Sequence, residues 1–396
     1  MRHERIALSE SKRTNWAIWI LALAAFVIVT TEFVVIGMVP TLSRDLNISV
    51  PMAGQLVTVF SVMVAVVGPV MATWLSRYER RKLFTWILVL FAIGNAASAM
   101  APGYWSLMFV RLLPAALVSV FWGVGSEAAG QISPRGQEGK AVAHVYFGVT
   151  AALLLGLPLG TVLGDAVGWR GAFWVLAVMS LVMAVAIHKV LPTIPADSQR
   201  SLKSDIAILK NRFFLANLAL SLGIFTAIFT AYTYLADLLE RSAGVAPSHV
   251  GWWLMGFGAV GLIGNYVAGR MVDKHGLAAT VIFCFVLAIG AASAAIFAQQ
   301  TAIFVVCLVA WGIAHTALFP LSQVRVMNST ETGKAVAGTL NISAANGGIA
   351  SGAIVGGWAI SMGSIAIACI AAAALAILCG LLSLIIERCR YPRGTY

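Results

Sequence analysis

Charge is what this sequence has least of. Only 10% of its 396 residues are Asp, Glu, Lys or Arg, against about 25% in a soluble domain. At the same time 60% are hydrophobic, more apolar surface than a soluble core can bury, and this excludes the soluble classes. Acidic residues are the scarcest charges, with 15 Asp and Glu against 26 Lys and Arg and a net charge of +11. Cysteine is sparse too. Cys284, Cys307, Cys369, Cys379 and Cys389 all lie in the second half, without paired spacing or accompanying histidines. That argues against a disulfide framework or a metal site, and they read as small apolar packing residues. No cleavable leader is expected, because the first apolar run, 16–39, is longer than an h-region of about 7–15 residues. A cluster of catalytic groups at one interface is missing, which argues against a membrane-embedded enzyme. A sizeable soluble domain is missing as well, which argues against a signalling receptor.

What is present is a series of long apolar runs. A membrane helix takes about 20 mostly apolar residues, and such segments fall at 16–39, 52–75, 83–101, 104–130, 139–164 and 171–192. The polar stretch 193–212 follows. Six more lie at 213–237, 249–272, 277–298, 301–324, 335–358 and 363–386. With both termini placed in the cytoplasm, the outer loops hold only Arg44, Arg170 and Arg241, and Arg111 lies within the fourth span. The other 22 of the 26 cationic residues are then cytoplasmic, as the positive-inside rule requires. The positive charge is therefore a topology signal and no evidence for nucleic-acid binding, which needs a soluble basic face.

The two halves resemble each other. "MATWLSRYERRKL" (71–83) closes the second span and "AGRMVDKHGL" (268–277) the eighth, so that Ser76 corresponds to Asp273 at an offset of 197. Six helices, a polar linker and six more suggest two repeats with a site at the midplane. The expected organisation is an N-terminal bundle over 1–192, a cytoplasmic linker over 193–212 and a C-terminal bundle over 213–396. The fold class is all-α and polytopic, with twelve transmembrane helices in two pseudo-symmetric six-helix bundles.

These motifs resemble the major facilitator superfamily. Gly269, Asp273, Lys274 and Gly276 match its loop signature between the second and third spans, here in the second half. Arg77, Arg80, Arg81 and Lys82 match its basic part in the first half, where Ser76 and Glu79 replace the usual acid and glycine. "GLPLG" (156–160) resembles the fifth-span motif of drug:proton antiporters. "TTEF", "GWRGAF" (168–173) and "AWGIAH" (310–315) resemble the bacterial arabinose and sugar efflux branch. The resemblance implies a multi-pass protein of a bacterial inner membrane. It would export a small neutral solute (a sugar or glycoside, a nucleoside or an amphipathic drug) in exchange for protons, by alternating access. Protons would be the coupling ion, with no cofactor, and the working unit a monomer. Uptake by symport or uniport is the alternative.

"VTTEFVVIGM" (29–38) places Glu32 in an apolar run, where a charge costs roughly 2.5–3.5 kcal/mol at the bilayer centre. At about 1.5 Å per residue, Glu32 lies roughly 12 Å and Arg111 roughly 9 Å below the outer boundary. The resemblance places spans 1 and 4 beside one cavity, so a hydrated or hydrogen-bonded Glu32–Arg111 pair lowers the cost of both charges. Either the pair couples transport to protons, or it only locks helix 1 to helix 4. Glu127, near the cytoplasmic end of span 4, is expected to meet the "RYERRK" loop. The resemblance makes Arg77, Arg80, Arg81, Glu127, Asp273 and Lys274 a cytoplasmic gate. His315 is the one histidine near the middle of a span. Phe33, Phe121, Trp122, Tyr232, Tyr234, His315, Asn341 and Asn346 supply uncharged hydrogen-bonding groups and aromatic walls suited to a neutral solute. Gly156, Pro158 and Gly160 are expected to bend span 5 and let helices approach. Asp237, at the outer end of span 7, is expected to be solvated.

Overall fold

The computed structural model describes the backbone of residues 2–75, 77–133, 138–195, 208–330 and 334–390. Among these, the side chains of 2–14, 73, 123, 126, 127, 138–140, 142, 143, 146, 149, 273–275, 334, 335 and 387–390 lie outside the description. All regular structure in the described residues is helical. In chain order the helices are α1 (Arg2–Asp45), α2 (Val50–Leu75), α3 (Arg80–Ala99), α4 (Tyr104–Val110), α5 (Leu112–Ile132), α6 (Glu138–Ala151) and α7 (Leu157–Val190). They continue with α8 (Arg212–Tyr232), α9 (Pro247–Ile296), α10 (Thr301–Asn328), α11 (Lys334–Ser361) and α12 (Ile365–Arg390).

Ten described helical segments are long and apolar enough to cross a membrane. Twelve were expected from the runs, and the difference has two sources. One segment, Ala152–Val190, merges the expected sixth span, as far as Val190, with the second half of the fifth. Gly168 joins them with φ 74° and ψ 158°, a conformation essentially confined to glycine. The other source is α11, a 28-residue helix whose apolar character is diluted by Gly, Ser and Asn.

Breaks in the helices follow the sequence. Arg111 separates α4 from α5. Pro114, three residues on, cannot donate to the Val110 carbonyl, so the helical ladder is loosened at that turn. Pro158 likewise lacks the N–H that Leu154 would receive. The turn before it, Ala152–Gly156, widens into a π-helix, a usual way to absorb such a defect. After Tyr232 the chain breaks at Thr233–Tyr234, then resumes as Leu235–Asp237 and a π turn over Leu238–Ser242. This continuation draws Asp237 inward. The acid expected to be solvated is buried and pairs with Arg241 at 2.8 Å.

By packing, the chain forms two units: Met1–Val34 with Val66–Arg200, and Val35–Ala65 with Ser201–Tyr396. In the first, α3 packs on α7 and α5 on α6. Span 5 lies close along α1, with Gly148 under Ala22, Gly156 under Thr30 and Gly160 under Val34, and any Cβ at these glycines would overlap its neighbour. In the second, α8 packs on α11 and α12, and α9 on α10 and α12. Gly348, Gly352 and Gly356 of α11 take Leu222, Thr226 and Thr230 of α8 in the same manner. The internal repeat is thus visible as one glycine-mediated helix pair in each unit. Without a hydrophobic force between helices in lipid, such backbone approach is what holds them together.

Candidate functional site

In the first unit, Glu32 and Arg111 are 6% and 2% exposed, and the structure brings them together. Arg111 reaches α1 from the α4–α5 break. Its Nη2 donates to the carbonyls of Thr31 (3.2 Å) and Glu32 (3.3 Å). The guanidinium also lies over the Phe173 ring of α7, 5.5 Å from its centroid. Thr31 Oγ1 donates to Val27 O at 2.9 Å and accepts from Asn95 Nδ2 of α3 at 3.1 Å. The turn that carries Glu32 is therefore held from α3, α4 and α7. The grip is on backbone carbonyls, so these bonds do not depend on the charge of the Glu32 carboxylate. Phe33 is buried beside it.

Farther along α5, Phe121 packs edge-on to Phe84 of α3 at 5.4 Å and to Trp122 at 5.8 Å. At the start of α3, Arg80 is completely buried and its Nη1 donates to Tyr78 O at 3.4 Å. Glu79 stands where the family signature has glycine, and it has its own task. Its carboxylate caps α3 by accepting from Arg81 N (2.9 Å) and Lys82 N (3.1 Å). It also accepts from Ile194 N at 3.4 Å, while Arg80 N donates to Ile194 O at 3.1 Å. The end of the first half is thereby stitched to the basic loop. Arg77 donates to Trp74 O at 2.8 Å and lies over that indole. The expected gate residues Glu127, Asp273 and Lys274 have side chains outside the described residues.

In the second unit, His315 of α10 is 2% exposed and ringed by aromatic side chains. Tyr232 lies at 4.1 Å, Phe257 and Phe319 at 5.5 Å and Phe229 at 6.0 Å between ring centroids. Five uncharged polar atoms of this unit are buried without a hydrogen-bond partner among the described residues: Thr58 Oγ1, Trp311 Nε1, His315 Nδ1, Ser322 Oγ and Asn346 Oδ1. Leaving such a group unsatisfied costs about 1–3 kcal/mol, so each calls for an explanation. Trp311 and Ser322 were not singled out in the sequence. Their spacing from His315, four back and seven forward, puts all three on one helical face, and that spacing was there to be read.

Two other expected cavity residues are committed to packing. Asn341 donates to Gln323 Oε1 (2.5 Å) and accepts from Ser221 Oγ (2.6 Å), tying α11 to α10 and α8. Tyr234 is fully buried and donates to Ala353 O at 2.8 Å. It fills a slot that exists because Gly54 of α2 and Gly356 and Gly357 of α11 have no Cβ. Near this slot, Arg44 at the end of α1 forms an ion pair with Glu240. The end of α1 and the start of α2 are thus bound into the second unit by a tyrosine slot and an ion pair, neither of which was anticipated.

Two glycine-mediated helix pairs, one per unit, are the signature of a duplicated helical bundle. The model of the Major Facilitator Superfamily matches residues 21–242 and again 218–394. The chain belongs to this superfamily. Among similar proteins, the inner membrane transport protein YdhP of Escherichia coli (strain K12) is 32% identical over 85% of this chain and 87% of its own. The uncharacterized MFS-type transporter YbcL of Bacillus subtilis (strain 168) is 31% identical over 68% and 69%. The fold is shared with a bacterial homolog of the lysosomal transporter Spinster in an inward-facing, occupied conformation. That likeness has a TM-score of 0.75 at 14% identity and covers 94% of this chain and 97% of that one. The xylose transporter XylE from E. coli has a TM-score of 0.71 at 16% identity and covers 97% and 100%.

Proposed function

We propose that this superfamily member is a proton-coupled exporter that carries a small, uncharged solute out across a bacterial inner membrane by alternating access, working as a monomer. The descriptions of its relatives, an inner membrane transport protein and an MFS-type transporter, support transport and location. The "GLPLG" motif favours export over uptake. The observation that carries proton coupling is the way Glu32 is held. If the acid served only to lock helix 1 to helix 4, Arg111 would need its charge. Two bonds from Arg111 go to the carbonyls of Thr31 and Glu32, and these survive protonation of the carboxylate. Glu32 would take up a proton at the outer face and release it inside while that helix contact persists. Intramembrane acids are functional candidates on general grounds. Glu127 with the Arg77–Arg81 loop, and Asp273 with Lys274, would form the cytoplasmic gate.

The test is proton release from detergent-solubilised protein on addition of a transported solute, together with flux in proteoliposomes. Glu32→Gln is expected to abolish gradient-driven export and solute-induced proton release. Exchange between equal pools should persist, since it needs no net proton movement. A Glu32→Gln protein that releases as many protons as the parent would refute the coupling role.

A further inference from the structure

We propose that the groove between the starts of α9 and α10 is a binding site for one acyl chain of a membrane phospholipid, held by the shape of the groove and not by its headgroup. The inference needs only that the chain spans a membrane. It does not rest on proton coupling or on export.

The groove has a volume of about 330 Å³ and lies wholly within the second unit. Trp252, Trp253, Gly256 and Val260 of α9 form one wall, and Val305 and Val309 of α10 the other. At 100° per residue the four α9 positions fall within roughly 100° of one another, on one helical face. The buried Phe257 and Leu308 make the floor. Phe304 braces Trp253 at 5.8 Å and Trp311 braces Phe257 at 5.7 Å between ring centroids, so the lining is fixed from behind. The gap itself is opened by Gly256. This glycine is exposed, and a Cβ there would meet nothing within 4 Å. Farther along the same helix the situation reverses. A Cβ at Gly261 or Gly264 would overlap Thr316 of α10. The two helices therefore touch at Gly261 and Gly264 and stand apart at Gly256.

Depth and lining select the occupant. The two spans begin at Pro247 and Thr301. At about 1.5 Å per residue, the groove starts roughly 6–8 Å inside them, at Val305 and Trp252, and ends roughly 20 Å inside, at Val260. That depth belongs to one leaflet of a hydrocarbon core about 30 Å thick. The mouth is open, with Trp252 59% and Val305 41% exposed. Exposed Ile263 and Tyr266 continue the same face of α9, so what meets the mouth is lipid. Water is a poor occupant, because it needs 2–4 polar partners and the lining side chains offer only two indole N–H groups. A polar cargo fails for the same reason. Left empty, the groove forfeits the dispersion contacts of its lining. A hydrocarbon chain restores them and is at hand at this depth. Tryptophan near the end of a span is also the residue type that sits at the lipid interface. No charged side chain lines the groove among the described residues, so nothing in it selects a headgroup.

The experiment is native mass spectrometry of the purified full chain in detergent. Dioleoylphosphatidylethanolamine or dioleoylphosphatidylglycerol is added, with dihexanoylphosphatidylcholine as a short-chain control. The parent is expected to keep one phospholipid of either long-chain type under activation that strips the rest, and none of the short-chain type. Gly256→Leu fills the groove from its wall and should lose that lipid. It should unfold at the temperature of the lipid-free parent or higher, since leucine also favours the helix. Trp252→Ala removes a wall and should lose the lipid as well. Val306→Leu adds bulk to α10 at a position 67% exposed and outside the groove, and should keep it. The proposal is overturned if the parent keeps no lipid, if Gly256→Leu and Trp252→Ala keep as much as the parent, or if retention requires one of the two headgroups. A parent that is dimeric and becomes monomeric on Gly256→Leu overturns it too, by making the groove an interface between copies. Should Gly256→Leu not fold, Trp252→Ala decides.

Discussion

At the scale of single residues, the proposed function gives Arg111 and Glu32 two tasks that are usually merged in an ion pair. Arg111 bonds the carbonyls of Thr31 and Glu32, and in the proposed function the carboxylate of Glu32 carries the proton. The two variants should therefore differ in stability. Arg111→Ala removes two carbonyl contacts and the stacking on Phe173, with an expected loss of about 1–3 kcal/mol. Glu32→Gln should unfold within a few degrees of the parent. Thermal unfolding of both in one detergent measures the difference, and equal destabilisation would return Glu32 to a locking role. The juxtaposition itself was legible in the sequence, because helix rise alone puts both residues at matching depth. What Arg111 holds was not legible. It depends on the α4–α5 break and on the angle at which α4 meets α1.

At the scale of elements, the fold rests on helix pairs whose backbones nearly touch. Gly156 against Thr30 and Gly352 against Thr226 leave no room for a Cβ, so Gly156→Leu and Gly352→Leu should each cost about 1–3 kcal/mol by overpacking. Fluorescence-detected size exclusion after heating would show this, and a leucine tolerated at either position would mean the helices separate more easily than the structure indicates. A second element-scale contact joins Arg44 to Glu240, with Glu240 largely buried. Removing one partner leaves a partly buried charge uncompensated. Arg44→Glu and Glu240→Arg should each lower transport, and the double swap should restore it at least in part. If the double swap is as impaired as the singles combined, the pair does not matter to the cycle. The glycines were conspicuous in the sequence. The partner helix of each was not, since glycine reports that something comes close and not what it is.

At the scale of the whole molecule, the proposed orientation rests on the cationic asymmetry: with both termini in the cytoplasm, three arginines would lie in outer loops against 22 cytoplasmic Lys and Arg. In a chain with its native cysteines replaced, a cysteine at the exposed Ser49 should react with an impermeant thiol reagent added to intact cells. One at Ser133 should resist. The reverse pattern would invert every depth assigned above, including those of Glu32 and Arg111.

The sequence by itself determined the membrane class, the helical runs, the duplicated halves and the pairing of an acid with an arginine. These follow from composition, helix rise and charge placement, which act locally and can be read one segment at a time. Only the tertiary structure decided the rest. Residues 35–65, part of the first repeat by sequence, pack within the unit that holds the second half. Tyr234 became a packing post, Asn341 a helix tie and Trp311 a buried donor without a partner among the described residues. Each of these outcomes depends on a neighbour far away in the chain: Arg44 and Glu240 are 196 residues apart, and Tyr234 and Ala353 are 119 apart. No local pattern records such a neighbour, because side chains acquire their partners only when the helices have packed.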